Sequence, residues 1–211
     1  MKRIILAVII LTVIFCGCSF LNHEKPLPQT NIKVEETPVK IEKAEKDGIT
    51  EGGYINAFVL RAVDGDTLSV RYKNGNYKVR LLDIDTPESV KEGVSVQEFS
   101  KEASNYTWSK TTNTYVKLVF GKGLKDKYGR LLAYVILKDG SFLNAQLVRY
   151  GYARAEILSP NVEFADYFYK LQNEAISDKI GLWALPPDKI PFIKDKSGLY
   201  IPRYWEKDNA S

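Results

Sequence analysis

The sequence predicts a mainly β fold with helices (α+β): a small five-stranded β-barrel carrying three helices. Three observations predict it. Apolar and polar residues alternate in five short runs between residues 54 and 137. Turn signals separate these runs: Gly52-Gly53 before the first, Asp64-Gly65 after it, and Asn74-Gly75 between the second and third. The period turns helical between the third and fourth runs and again after the fifth. That order suits a closed barrel. A two-layer α+β sandwich is the alternative, because strand number alone does not force closure.

The first strand is Tyr54 to Val63, aromatic and β-branched. Thr67 to Tyr72 follows, with Leu68, Val70 and Tyr72 on one face. Asn76 to Ile84 is the third, its Tyr77, Val79 and Leu81 alternating with Asn76, Lys78 and Arg80 until Thr86-Pro87 stops it. Phe99, Ala103 and Tyr106 recur at helical spacing, which predicts a helix over Val96 to Lys110. Thr114 to Phe120 and Arg130 to Leu137 are the last strands, joined by a basic loop from Gly121 to Gly129. Ser141 is the expected N-cap of a second helix with apolar face Leu143, Leu147 and Tyr150, and Gly151 its C-cap. Pro160-Asn161 is expected to open the third helix, whose face is Ala165, Phe168, Gln172 and Ala175 and which Gly181 ends.

The termini read differently. Met1-Lys2-Arg3 is basic, and Ile4 to Phe15 is almost wholly apolar. That run is short for a membrane span and fits a signal-peptide core. Phe15-Cys16-Gly17-Cys18-Ser19 then resembles a bacterial lipoprotein signal, so residues 1–18 are expected to be that signal and Cys18 the lipidated residue. Gly17 before Cys18 is small, whereas Phe15 before Cys16 is bulky. An ordinary secretory signal is the alternative. Either reading places the mature protein outside the cytoplasm, as a membrane-anchored envelope lipoprotein or as a secreted protein. Residues 19–52 hold no aromatic after Phe20 and are rich in Lys, Glu, Pro and Thr, which predicts a disordered tether. The folded domain is expected over 53–185 and a tail over 186–211.

Composition excludes several chemistries. Of 211 residues, two are Cys and one is His. Cys16, Cys18 and His23 all lie near the N-terminus, so the folded part has no disulfide, Cys/His zinc site or Ser-His-Asp triad. Any catalysis must run on Asp, Glu, Arg, Lys and Tyr. The net charge of +4 suits a polyanionic partner without proving one.

The acids cluster by strand order. Asp66 begins the second strand and Asp85 ends the antiparallel third, so the hairpin brings them together. With the Thr86 carbonyl they form an oxygen set of the kind Ca²⁺ takes, and Mg²⁺ is the rival. Glu88 lies across a proline turn from Asp85, one water away from a bound ion, where it could accept a proton from an attacking water. Arg80 and Arg130 suit bidentate contacts to phosphate. Asp64 and Asp83 are read as turn or solvent residues, and Lys122, Lys125 and Lys127 also suit a solvated loop.

Four segments in order resemble the staphylococcal nuclease (thermonuclease) family. They are Val63-Asp64-Gly65-Asp66-Thr67, Arg80-Leu81-Leu82-Asp83-Ile84-Asp85-Thr86-Pro87-Glu88, Asp126-Lys127-Tyr128-Gly129-Arg130-Leu131-Leu132-Ala133-Tyr134 and Asn144-Ala145-Gln146-Leu147-Val148-Arg149-Tyr150-Gly151. Gly181-Leu182-Trp183 also resembles the family's helix ending. The resemblance implies an OB-fold barrel and Ca²⁺-dependent phosphodiester hydrolysis of DNA and RNA by a monomer. It implies Asp66, Asp85 and Thr86 as metal ligands, Glu88 as general base through water, Arg80 and Arg130 on the scissile phosphate, and Lys127 and Tyr128 on a terminal phosphate. One departure stands out: the family's tyrosine-rich segment before the last helix reads here Ala155-Glu156-Ile157-Leu158-Ser159-Pro160-Asn161. Two other readings remain: an OB-fold that binds single-stranded nucleic acid without cutting it, and an envelope protein using Ca²⁺ only for stability.

Overall fold

Alternating apolar side chains are the reason the predicted strands close on themselves. The structure is a computed structural model, and it describes residues 37, 38, 41, 46–89 and 92–205. The signal peptide, Cys18 and most of the expected tether lie outside the described residues.

A two-residue strand, β1 (Lys46–Asp47), pairs parallel with the start of β2 (Gly53–Ala62). β2 then pairs antiparallel with β3 (Thr67–Tyr72), and β3 with β4 (Gly75–Leu81). After a break come β5 (Ile84–Asp85) and helix α1 (Ser100–Thr111). β6 (Tyr115–Lys125) pairs antiparallel with β7 (Leu131–Ile136), and β7 lies parallel to β4. The pairing of β2 with β6 completes the circuit and decides for a barrel over a sandwich. The result is a closed five-stranded barrel with three helices among the described residues, the mainly β OB-fold arrangement. Ile55, Ala57, Val59, Leu68, Val70, Val79 and Leu118 are each 0% exposed inside it. Each such aliphatic larger than Ala contributes about 1.5–3 kcal/mol by leaving water.

Helix α2 (Leu143–Arg149), the pair-forming β8 (Arg154–Ala155), helix α3 (Ala165–Ser177) and a hairpin of β9 (Phe192–Lys194) and β10 (Tyr200–Pro202) follow. Several expected boundaries moved. Helix α1 starts at Ser100 rather than Val96, because Phe99 before it adopts a left-handed conformation with φ 68°. β6 runs on to Lys125, past the expected end at Phe120, by pairing Lys125 with Leu131 across a register shift. Ser141 does not cap α2. Phe142 holds that position, and the Ser141 hydroxyl bonds the Asp139 carboxylate at 2.6 Å. Gly151, at φ 67°, follows the Tyr150 cap. Pro160-Asn161 does not open α3 either. Asn161 instead accepts the Lys122 N–H at 2.7 Å and donates to the Lys122 carbonyl at 2.8 Å, holding β6 at Lys122. The helix ends at Ser177, ahead of Gly181.

Candidate functional site

The site sits where β3, β4 and β5 converge. β4 does not continue straight into Ile84. Leu82 and Asp83 form a turn, Asp83 with φ 62°, before β5 resumes. Two buried contacts hold this turn. Asn144 of α2 donates to the Leu82 carbonyl at 2.8 Å and accepts the Val135 N–H at 2.9 Å. Tyr134 donates to Asp83 at 2.6 Å. Asp83 is buried, not solvated, and its burial pushes the carboxyl up to about 7 against the Tyr134 bond. The turn lets Asp85 return to the cleft.

The Asp64-Gly65-Asp66 turn approaches Thr86 closely. A Cβ on Gly65 would come within 2.8 Å of the Thr86 side chain, so only glycine lets the two turns meet. The Gly65 carbonyl accepts the Thr107 hydroxyl of α1 at 2.6 Å, which fixes the turn to the helix. Asp66 is the hub. Its Oδ2 accepts the Thr86 N–H and the Thr86 hydroxyl, both at 2.9 Å, and its Oδ1 accepts the Thr67 hydroxyl at 3.1 Å. Burial opposes its charge, but Arg80 and the Thr86 donors prevail and hold the carboxyl below its ordinary value. Asp64, beside it, goes the other way: burial first and then the Asp66 charge push it up to about 7. It stabilises the turn as expected, its Oδ1 accepting the Asp66 N–H at 3.1 Å, and it also lines the cleft.

Arg80 faces protein oxygen on every nitrogen. Nε lies 3.4 Å from Asp66, and Nη1 donates to the Leu81 and Ile84 carbonyls at 2.8 and 2.7 Å. Nη2 donates to Asp85 at 3.3 Å and to Glu156 at 3.1 Å. A second arginine, which the sequence reading passed over, completes the ring. Arg154 of β8 sits opposite Asp85 in the β5–β8 pair, and its Nε is 2.9 Å from the Asp85 carboxylate. Its Nη2 is 2.5 Å from Glu156. Arg80, Asp85, Arg154 and Glu156 thus close a ring of ion pairs. Period-two spacing placed Arg154 and Glu156 on one face of a strand, and that was the signal available for them. Burial pushes Asp85 up to about 7, opposed by Arg154 and reinforced by Glu156.

The other wall is the turn between β6 and β7. Asp126 organises it, accepting the Tyr128 and Arg130 N–H groups at 2.9 and 3.0 Å and the Arg130 Nε at 2.6 Å. Gly129 takes φ 79° to close the turn. Tyr128 is 71% exposed, with Arg130 and Lys127 over its ring at 5.5 and 5.1 Å.

The structure gathers every predicted site residue of the folded domain, namely Asp66, Arg80, Asp85, Thr86, Glu88, Lys127, Tyr128 and Arg130, around one open cleft of about 1040 Å³. Lys122, Lys125 and Glu156 line it too. Among the described residues no three Asp, Glu, His or Cys side chains form a ready-made metal cage. Asp66 and Asp85 bring to the cleft hard carboxylate oxygen of the kind that Ca²⁺ prefers. Asp64 and Asp85, both pushed up to about 7, would also regain full charge beside a bound cation. On both counts the residues fit a divalent cation.

Comparisons with known proteins bear on the family of this fold. The family model described as staphylococcal nuclease homologue matches residues 78–185. A thermonuclease of Staphylococcus intermedius is 41% identical over 125 residues, 59% of this chain and 74% of that protein. A thermonuclease of Staphylococcus hyicus is 39% identical over 126 residues, 60% and 74% of the two chains. Endonuclease YncB of Bacillus subtilis is 39% identical over 132 residues, 62% of each.

Proposed function

The chain belongs to the staphylococcal nuclease family, and from that premise we propose a Ca²⁺-dependent phosphodiesterase that cuts DNA, RNA or both. It is a nuclease, a hydrolase acting on nucleic acid. The finer assignments rest on one observation: acids, arginines and the exposed Lys127–Arg130 turn share a single cleft.

Asp66, Asp85 and the Thr86 carbonyl would hold the cation. Bound there, it supplies charge that polarises the phosphoryl group and acidifies water. Glu88 accepts the proton of the attacking water. Its backbone is braced, since Gln97 accepts the Glu88 N–H at 2.7 Å and donates its own N–H to the Glu88 carbonyl at 2.9 Å. Arg130 offers its terminal nitrogens to a phosphate oxygen, because Asp126 engages only its Nε. Arg80 reaches the phosphate by giving up its Glu156 contact. Lys127 and Tyr128 hold a terminal phosphate. We also propose that the enzyme is exported and held at the membrane by a lipid on Cys18; Cys18→Ala should then move it into the medium.

Glu88→Gln tests the core of this reading. With Ca²⁺ and single-stranded DNA, turnover should fall by about 10²–10⁴, and unchanged turnover removes Glu88 from the mechanism.

A further inference from the structure

The C-terminal hairpin reaches the cleft. Pro202, Tyr204 and Trp205 line the same cleft as Arg80 and Arg130, although they lie beyond residue 185, where the match to the family model stops. The segment is tied down along its length. Tyr200 pairs with Lys194 and Pro202 with Phe192. Arg203 donates its backbone N–H to the Pro191 carbonyl at 2.8 Å and its Nε to the Ile190 carbonyl at 2.9 Å. Trp183 packs edge-on against Tyr200 with centroids 4.8 Å apart. The buried Arg154 links this hairpin to the site, donating to the Tyr200 carbonyl at 2.8 Å while pairing with Asp85. At the end of the chain of contacts, the Tyr204 hydroxyl lies 3.4 Å from Glu88 Oε1.

Trp205 comes next and is 40% exposed. An indole held partly open at the edge of a cleft is a flat apolar surface. Leu158, 61% exposed, lines the cleft too. The same cleft is edged by Lys122, Lys125, Lys127 and Arg130. Cations for a backbone beside an aromatic face for a base are the two parts of a single-strand binding groove. Paired bases keep both faces stacked in the duplex, so only an unpaired base can use the indole.

We propose that Trp205 is a base-stacking residue, which takes one nucleobase of a single-stranded substrate beside the scissile phosphate. This rests on the nuclease reading above and extends it with a residue from the tail. Tyr204, touching Glu88, sets the reach of the tail over the catalytic centre.

The test uses the full chain and a fluorescent single-stranded DNA oligonucleotide, intact or with abasic positions flanking one phosphate. Dissociation constants come from anisotropy in chelator, and KM from cleavage in Ca²⁺. The wild-type chain should bind the intact strand about tenfold more tightly than the abasic one. Trp205→Ala should raise both the dissociation constant and KM for the intact strand about tenfold and erase the preference over the abasic strand. Trp205→Phe should restore most of both. If Trp205→Ala keeps the wild-type constants and the wild-type preference, the proposal is overturned, whatever the activity. If the wild type shows the preference and Trp205→Ala loses it, yet neither cleaves, the subsite stands and the nuclease reading falls.

Discussion

Two arginines face the same cleft from opposite circumstances. Arg80 is held in the floor by Asp66, Asp85 and Glu156, with its side chain 13% exposed. Arg130 stands on the rim, 27% exposed, with Asp126 as its one acid partner among the described residues. The floor is an interlocked set of ion pairs whose members depend on each other. The rim is a loop whose charges mostly meet water. A floor residue therefore serves stability and chemistry together, whereas a rim residue can be lost from the chemistry with the fold intact.

The largest effect expected from this contrast is at Arg80. Arg80→Ala leaves Asp66, Asp85 and Glu156 facing one another and should cost about 3–5 kcal/mol in urea unfolding, along with nearly all activity. A stability loss below about 1 kcal/mol would erase the distinction between floor and rim. Arg130→Ala should do the reverse. It should lower kcat by about 10²–10³, as loss of a donor to the transition state does, while stability changes by about 0.5 kcal/mol or less. Equal losses of stability for the two arginines would contradict the contrast.

The smallest effect sharpens the rim. Burial opposes the charge on Asp126, but the Arg130 side chain and N–H and the Tyr128 N–H hold its carboxyl below the ordinary value. A carboxyl depressed in the folded state adds stability above its unfolded value and loses it as pH falls through the folded one. Wild type should thus be slightly more stable than Asp126→Asn at neutral pH, and urea midpoints of the two should converge below about pH 4. Midpoint curves that stay parallel well below that pH, or that already coincide at neutral pH, would mean that the pair contributes nothing.

Much of the rim and part of the floor were legible in the sequence. Asp66 and Asp85 could be placed because a hairpin brings the start of one strand beside the end of the next, and Arg80 pairs with Thr67 in that register. The closed barrel was legible from alternation, but the β2–β6 pairing that proves closure is a contact between strands far apart in sequence. Arg154 and Glu156 were not legible as site residues for the same reason: β8 meets β5 across 69 residues, between Asp85 and Arg154. Asp83 lies in a turn as expected, but its burial was not legible, because a positive-φ turn looks exposed in sequence whereas Tyr134 and Asn144 hold this one inside. Helix starts slipped where the capping residue was Phe99 or Phe142, neither of which has a polar side chain to announce it.

The central claim is that the floor holds a divalent cation on Asp66 and Asp85 and that cutting depends on it. Thermal unfolding in Ca²⁺ or in chelator tests this most directly, run on wild type and on Asp85→Asn beside a cleavage assay. Ca²⁺ at about 100 times its dissociation constant should stabilise wild type by about 2.7 kcal/mol and switch cleavage on, and Asp85→Asn should show neither response. Full cleavage in chelator, or equal Ca²⁺ stabilisation of both proteins, would contradict it.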